Sequence, residues 1–218
     1  MIQKGEEILI NSIAKRVKDK LVNAESGHDW LHIERVWKNA ILILESGIES
    51  NHLIVQLAAL LHDIADSKFH HGNENIGPQT ANAILNEFEV EEETKDEVVK
   101  IIENISYKGG FNENAYRSPE LDIVRDADRL DAIGAIGIAR AFAYGGFKNR
   151  RLYDPEHRPV TFQNKEEYKN NEGPTINHFY EKLFKLKDLM ATEKGKELAR
   201  ERDEFMRTFV DQFYHEIQ

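Results

Sequence analysis

The chain has 218 residues, no cysteine, and 39 acidic against 29 basic side chains, for a formal net charge of -10 with its nine histidines neutral. That length, with 40% hydrophobic residues, is enough to build a core, which excludes disorder and a stapled mini-protein. The missing cysteine excludes thiolate metal sites, iron–sulfur clusters and a cysteine nucleophile, and the acid excess excludes a nucleic-acid coat, which needs clustered Lys and Arg.

The start, Met1-Ile2-Gln3-Lys4, lacks the pattern of a signal peptide, and no apolar stretch approaches the roughly 18 residues of a membrane span, so a cytoplasmic protein is expected. In chain order, Ile10, Ile13, Val17 and Leu21 recur at three- and four-residue steps and predict a first helix. Trp30, Ile33, Trp37, Ile41 and Leu44 predict a second, with Ser26 or Asp29 as cap and Gly47 as stop. A third starts near Ser50 and runs through Leu53, Ile54, Leu57, Leu60, Leu61 and Ile64, apolar nearly all round and therefore buried. Pro78 suits a helix first turn, with Ile84, Leu85 and Phe88 after it, and Val98, Val99, Ile101, Ile102 and Ile105 continue the pattern to a stop at Gly109-Gly110.

Ser118-Pro119 opens the next helix, which carries Leu121, Val124, Ala127 and Leu130 into the small-residue stretch Ala132-Ile133-Gly134-Ala135-Ile136-Gly137. Those glycines are expected to let a neighbouring helix approach closely, and the pattern ends at Gly145-Gly146. Residues 147–174 are polar, hold three of the five prolines and read as a long loop. Two more helices follow, from Thr175 and from about Thr192. With no alternating run long enough for a strand and no repeat, the class is all-α, in one domain spanning residues 1–218.

Ionisable residues interrupt the apolar pattern at three places. His62-Asp63 ends the buried third helix, His32 lies on the second, and Asp128 lies in the helix opened by Pro119. Burying an imidazole or a carboxylate costs several kcal/mol unless it is paired or metal-bound. A capping aspartate and a histidine on a backbone carbonyl would satisfy the dipeptide by itself; three helices each bringing such a group inward favour a metal. Two imidazoles and two carboxylates without sulfur suit a five- or six-coordinate divalent ion, one of manganese, magnesium, iron, cobalt or nickel.

His32, His62-Asp63 after Ala-Leu-Leu, and Asp128 within Ala-Asp-Arg-Leu resemble the HD superfamily of metal-dependent phosphohydrolases. Gly27-His28-Asp29-Trp30-Leu31-His32, Tyr107-Lys108-Gly109-Gly110 and Asn177-His178-Phe179-Tyr180-Glu181-Lys182-Leu183 are similar to its small single-domain bacterial branch. The resemblance implies a helical bundle of about eight or more helices, one divalent metal on His32, His62, Asp63 and Asp128, and hydrolysis of a phosphate ester or anhydride. It favours a small phosphorylated substrate, a nucleotide, among which a nucleoside triphosphate cleaved to monophosphate and pyrophosphate, a monophosphate, a cyclic nucleotide and an alarmone all stay open. So does a different class of role, a sensing or scaffolding module that keeps the metal without turnover.

Spacing and local charge, with the resemblance for Asp66 and Lys108, suggest supporting roles. Asp66 is expected as the base that deprotonates water, against a simple cap, and His28 as a group facing the water or phosphate, against an exposed helix start. Lys108 and the loop cluster Lys148, Arg150, Arg151 and Arg158 are expected to hold phosphate, against a merely solvated basic loop, with Arg35 either joining them or, like Arg129, pairing with the site's carboxylates. Asp131 could hold a ligand or water, or form a salt bridge. Histidines 70 and 71 are better read as incidental than as ligands of a second metal. The stripe Phe205, Phe209, Phe213 is expected to be core or the face of a homodimer.

Overall fold

Helices form where those periodic apolar faces find partners to pack against. The computed structural model describes residues 3–22, 29–65, 75–105, 116–164, 166–167 and 170–217. Among the described residues there are nine α-helices and no strand, the expected all-α class. None of these helices is long and apolar enough to cross a membrane. The described residues fall into two compact units, the first holding the chain as far as Asp128 and the second starting at Arg129.

The first unit contains α1 (Lys4–Lys20), α2 (Trp30–Leu44), α3 (His52–Leu61), α4 (Ile76–Glu87), α5 (Glu92–Asn104) and most of α6 (Pro119–Asp131). Its centre is α3, which packs against α1, α2 and α5. Every residue from Ile54 to Leu61 is buried, with Leu57, Leu60 and Leu61 fully so, as a helix apolar on all sides requires. Asn51 caps it by accepting hydrogen bonds from the Leu53 and Ile54 amides. Ser118 does the same for α6, accepting from Leu121 N at 3.1 Å.

The pattern from Pro78 to Ile105 is two helices rather than one run. Glu89 adopts φ 51, and the amides of Glu89 and Val90 return to the carbonyls of Asn86 and Leu85. This is the left-handed helix stop that glycine usually supplies. The stop expected at Gly109-Gly110 lies outside the described residues.

The second unit contains the end of α6, α7 (Gly134–Phe147), α8 (Asn177–Glu181), a 3₁₀ helix (Leu183–Leu189) and α9 (Glu193–Glu216), the last capped by Thr192. The small-residue stretch does admit a neighbouring helix, since a Cβ on Gly134 would lie 3.0 Å from Arg202 Cγ of α9, and it also shapes the chain. Gly134 has φ +73 and starts a new helix, and a Cβ on Gly137 would lie 2.3 Å from the Ala132 carbonyl oxygen. These glycines build a sharp turn between α6 and α7. A further close approach is at Gly145, where an added Cβ would meet Thr175 Oγ1 at 2.1 Å.

Phe142, Phe179, Phe209 and Phe213 form the aromatic core of this unit, with ring centroids 5.8–6.3 Å apart. Phe205, the third of the expected stripe, is exposed. The segment after α7 is tied down at several points: Thr175 N and Ile176 N donate to the carbonyls of Arg151 and Leu152, and Asn177 Nδ2 donates to that of His157.

Candidate metal centre

Three elements of the first unit bring four side chains together. His32 sits in the first turn of α2, where Asp29 caps the helix by accepting from His32 N at 3.0 Å. His62 and Asp63 follow the last residue of α3, where the chain leaves the core. Asp128 lies on α6.

The ring nitrogens His32 Nε2 and His62 Nε2 are 3.2 Å apart. Asp128 Oδ1 is 3.7 Å from both of them, and Asp63 Oδ2 is 3.8 Å from His32 Nε2. The two imidazoles are deeply buried, their side chains 2% and 5% exposed, whereas Asp63 is 17% and Asp128 39% exposed. The cluster therefore has a closed imidazole side and an open carboxylate side.

A backbone contact selects the tautomer of His62. Its Nδ1 lies 2.9 Å from the Ala59 carbonyl oxygen, which can only accept, so Nδ1 carries the proton. Burial pushes this imidazole below its ordinary value, against the pull of Asp128 and with the push of His32, so the neutral ring presents a bare Nε2 lone pair to the cluster. Two nitrogens bound at about 2.1 Å to one ion at right angles stand about 3 Å apart, close to the separation seen here. The donor set fits a divalent cation, with two imidazoles, two carboxylates, no sulfur and an open side for further oxygen ligands.

The other expected site residues are placed less centrally. Asp66, His28, Lys108, His70 and His71 lie outside the described residues. Arg35 is half-buried one turn after His32. Arg129, next to Asp128, donates to the Leu189 carbonyl, and the buried Asp131 forms a salt bridge with Arg140. In that unit Arg151 pairs with Asp154 at 2.8 Å, Arg158 is exposed, and Arg150 donates to the Asn171 carbonyl while stacking 5.6 Å from the Tyr144 ring centroid.

Comparison with known proteins places this arrangement in context. Residues 30–133 match the model of the HD domain. The chain is 37% identical over 209 residues to YpgQ of Bacillus subtilis, covering 92% of this chain and 90% of that protein. The structure of YpgQ in complex with ADP covers 97% of this chain and 96% of its own, with TM-score 0.76 and 34% identity. An HD-superfamily hydrolase from Bacillus thuringiensis is 43% identical with TM-score 0.75 over 97% of each chain. A Lactobacillus plantarum protein is 38% identical with TM-score 0.80, covering 99% of this chain and 98% of its own.

Proposed function

The chain belongs to the HD-domain family, and from that premise we propose that it is a metal-dependent phosphohydrolase acting on a nucleotide, with His32, His62, Asp63 and Asp128 as the metal ligands. One observation carries the reading: nitrogen and oxygen donors of His62, Asp63 and Asp128, from two further elements of the first unit, each lie within 3.8 Å of His32 Nε2, with His62 held in the tautomer that leaves Nε2 bare. The ADP complex of YpgQ supports a nucleotide as the substrate class.

When bound, a divalent ion supplies Lewis acidity toward phosphoryl oxygen and lowers the pKa of water from 15.7 toward neutral. The chain's own groups do the rest. His32 and His62, buried and rigid, orient the donor set, and Asp63 and Asp128 add negative charge on the side open to solvent. Asp66, three residues after Asp63, is assigned as the base that takes the proton of the attacking water, with His28 facing the reacting phosphate. Lys108, Arg35, Arg150, Arg151 and Arg158 are assigned to the phosphate oxygens that do not react.

The test pairs metal content with turnover. The protein is loaded in turn with manganese, magnesium, iron, cobalt and nickel and offered a nucleotide panel, with phosphate and pyrophosphate separated as products. Turnover should require metal, and His62→Ala or Asp63→Ala should lose both ion and activity. Asp66→Asn should keep the ion and lose at least about a hundredfold in rate, the range of a general base. Failure to bind any divalent ion would falsify the ligand assignment, and tight binding without turnover of any phosphorylated compound would leave a sensing module instead.

A further inference from the structure

The helices that carry His32 and Asp128 meet a second time, away from the cluster. Asn39 lies seven residues after His32 on α2, two turns along the same face, and both side chains are buried. Its Nδ2 donates to the Ala127 carbonyl of α6 at 3.2 Å. Ala127 immediately precedes Asp128, whose Oδ1 stands 3.7 Å from His32 Nε2. All four residues belong to the first unit, and the two helices are joined there at two polar points about 10 Å apart along α2.

The ligand-bearing elements are held unequally. α2 and α3 pack closely along each other, and Trp37 Nε1 donates to Gln56 Oε1 at 2.9 Å across that contact. The His32 and His62 rings are fixed by their burial as well. α6 makes few close backbone approaches to either helix, and the Asp128 side chain is partly open to solvent. Apolar contact is non-directional, whereas a hydrogen bond weakens steeply with distance and angle and so discriminates between neighbouring registers. The Asn39 bond is a directional link between α6 and α2 that lies outside the cluster and is itself buried.

We propose that Asn39 is a positioning residue of the metal centre, which sets the register of α6 on α2 and thereby the place of the Asp128 carboxylate relative to the two imidazoles. The bond acts on the backbone one residue from the ligand, so a shift of α6 there moves Asp128 with it. His32, on the other helix of the pair, stays where α2 and its own burial hold it. Without the Asn39 amide the carboxylate is expected to lose its fixed distance from the imidazole side of the cluster. The inference rests on the assignment of Asp128 as a metal ligand.

The experiment titrates manganese(II) and cobalt(II) into the full-length protein by calorimetry and records the visible absorption of the cobalt form, with the Tm of the metal-free protein as the measure of the fold. Asn39→Leu, similar in size but without a donor, should weaken both ions about tenfold and change the cobalt spectrum, since a displaced carboxylate alters the ligand field. Asn39→Ala, which removes the amide and adds no bulk, should give the same two readouts and serves where the leucine does not fold. Leu85→Ala, fully buried on α4, should lower Tm through its cavity and leave affinity and spectrum as in the parent. In an Asp128→Ala background Asn39→Leu should weaken neither ion further, because the residue acts through Asp128. Parent affinity and spectrum in the Asn39 variants, an equal loss of affinity in Leu85→Ala, or the same loss with and without Asp128 overturns the proposal while leaving the metal centre standing. A parent protein that binds neither ion overturns the ligand assignment, and this inference with it.

Discussion

A histidine with one ring nitrogen held by a backbone carbonyl has only the other left to offer, and at His62 that constraint turns a buried polar residue into a ready metal donor. The same logic at residue scale explains Asp203, buried on α9 with its oxygens taken by Lys187 at 2.8 Å and Arg207 at 2.7 Å. Burial alone would push this carboxyl up, but the hydrogen bonds from Arg207 and Lys187 outweigh it and hold it below the usual carboxylate range. Because the folded value lies below the unfolded one, the stabilisation is complete above about pH 4 and is lost as pH falls through the lowered value. Asp203→Asn should therefore cost about 2 kcal/mol at pH 7, and the gap in Tm between variant and parent should close on acidification below about pH 4. A gap that stays constant down to pH 3 would remove the ion pairs as its cause.

At the scale of elements, α3 is the support on which the proposed metal centre stands. It packs against α1, α2 and α5 and releases His62 and Asp63 at the point where it leaves the core. Leu57→Ala, at a fully buried position, should lower stability by about 2–5 kcal/mol through the cavity it leaves. Leu42→Ala, at a position on α2 that is 42% exposed, should change it by less than about 0.5 kcal/mol. Urea unfolding of both variants distinguishes these, and equal effects would show that α3 is not the support described. The α6–α7 turn has its own signature. Gly134→Ala places a Cβ 3.0 Å from Arg202 Cγ at a positive φ, and should cost about 1–2 kcal/mol, whereas Gly5→Ala in the open first turn of α1 should cost nothing measurable.

For the whole molecule, the proposed ligand set from α2, the end of α3 and α6 is assembled only in the folded chain, so an ion bound there would stabilise the fold. Divalent metal at about 100 times its Kd should add about 2.7 kcal/mol and raise Tm accordingly, with chelator reversing the rise. His62→Ala should show no rise, and an equal rise in the variant would place the stabilising ion elsewhere. The expectation of a single domain predicts one cooperative heat transition, although the described residues form two compact units; two separated calorimetric transitions would divide the chain instead.

The order and spacing of side-chain types alone make much of this molecule legible. The nearly unbroken apolar run of Leu53 to Ile64 marks a helix buried on all sides, and the imidazoles and carboxylates intruding on apolar faces mark His32, His62, Asp63 and Asp128. Periodicity reports which face of a helix is apolar, and ionisable residues on such a face stand out. It does not report backbone dihedrals set by packing. Glu89 at φ 51 ends α4 without a glycine, and Gly134 at φ +73 splits what reads as one helix into two. Nor does spacing reveal hydrogen bonds between distant residues. The carbonyl that selects the His62 tautomer depends on the ring's rotamer in the packed core, and the bonds from the Thr175 and Ile176 amides to the Arg151 and Leu152 carbonyls arise only when separate segments pack together.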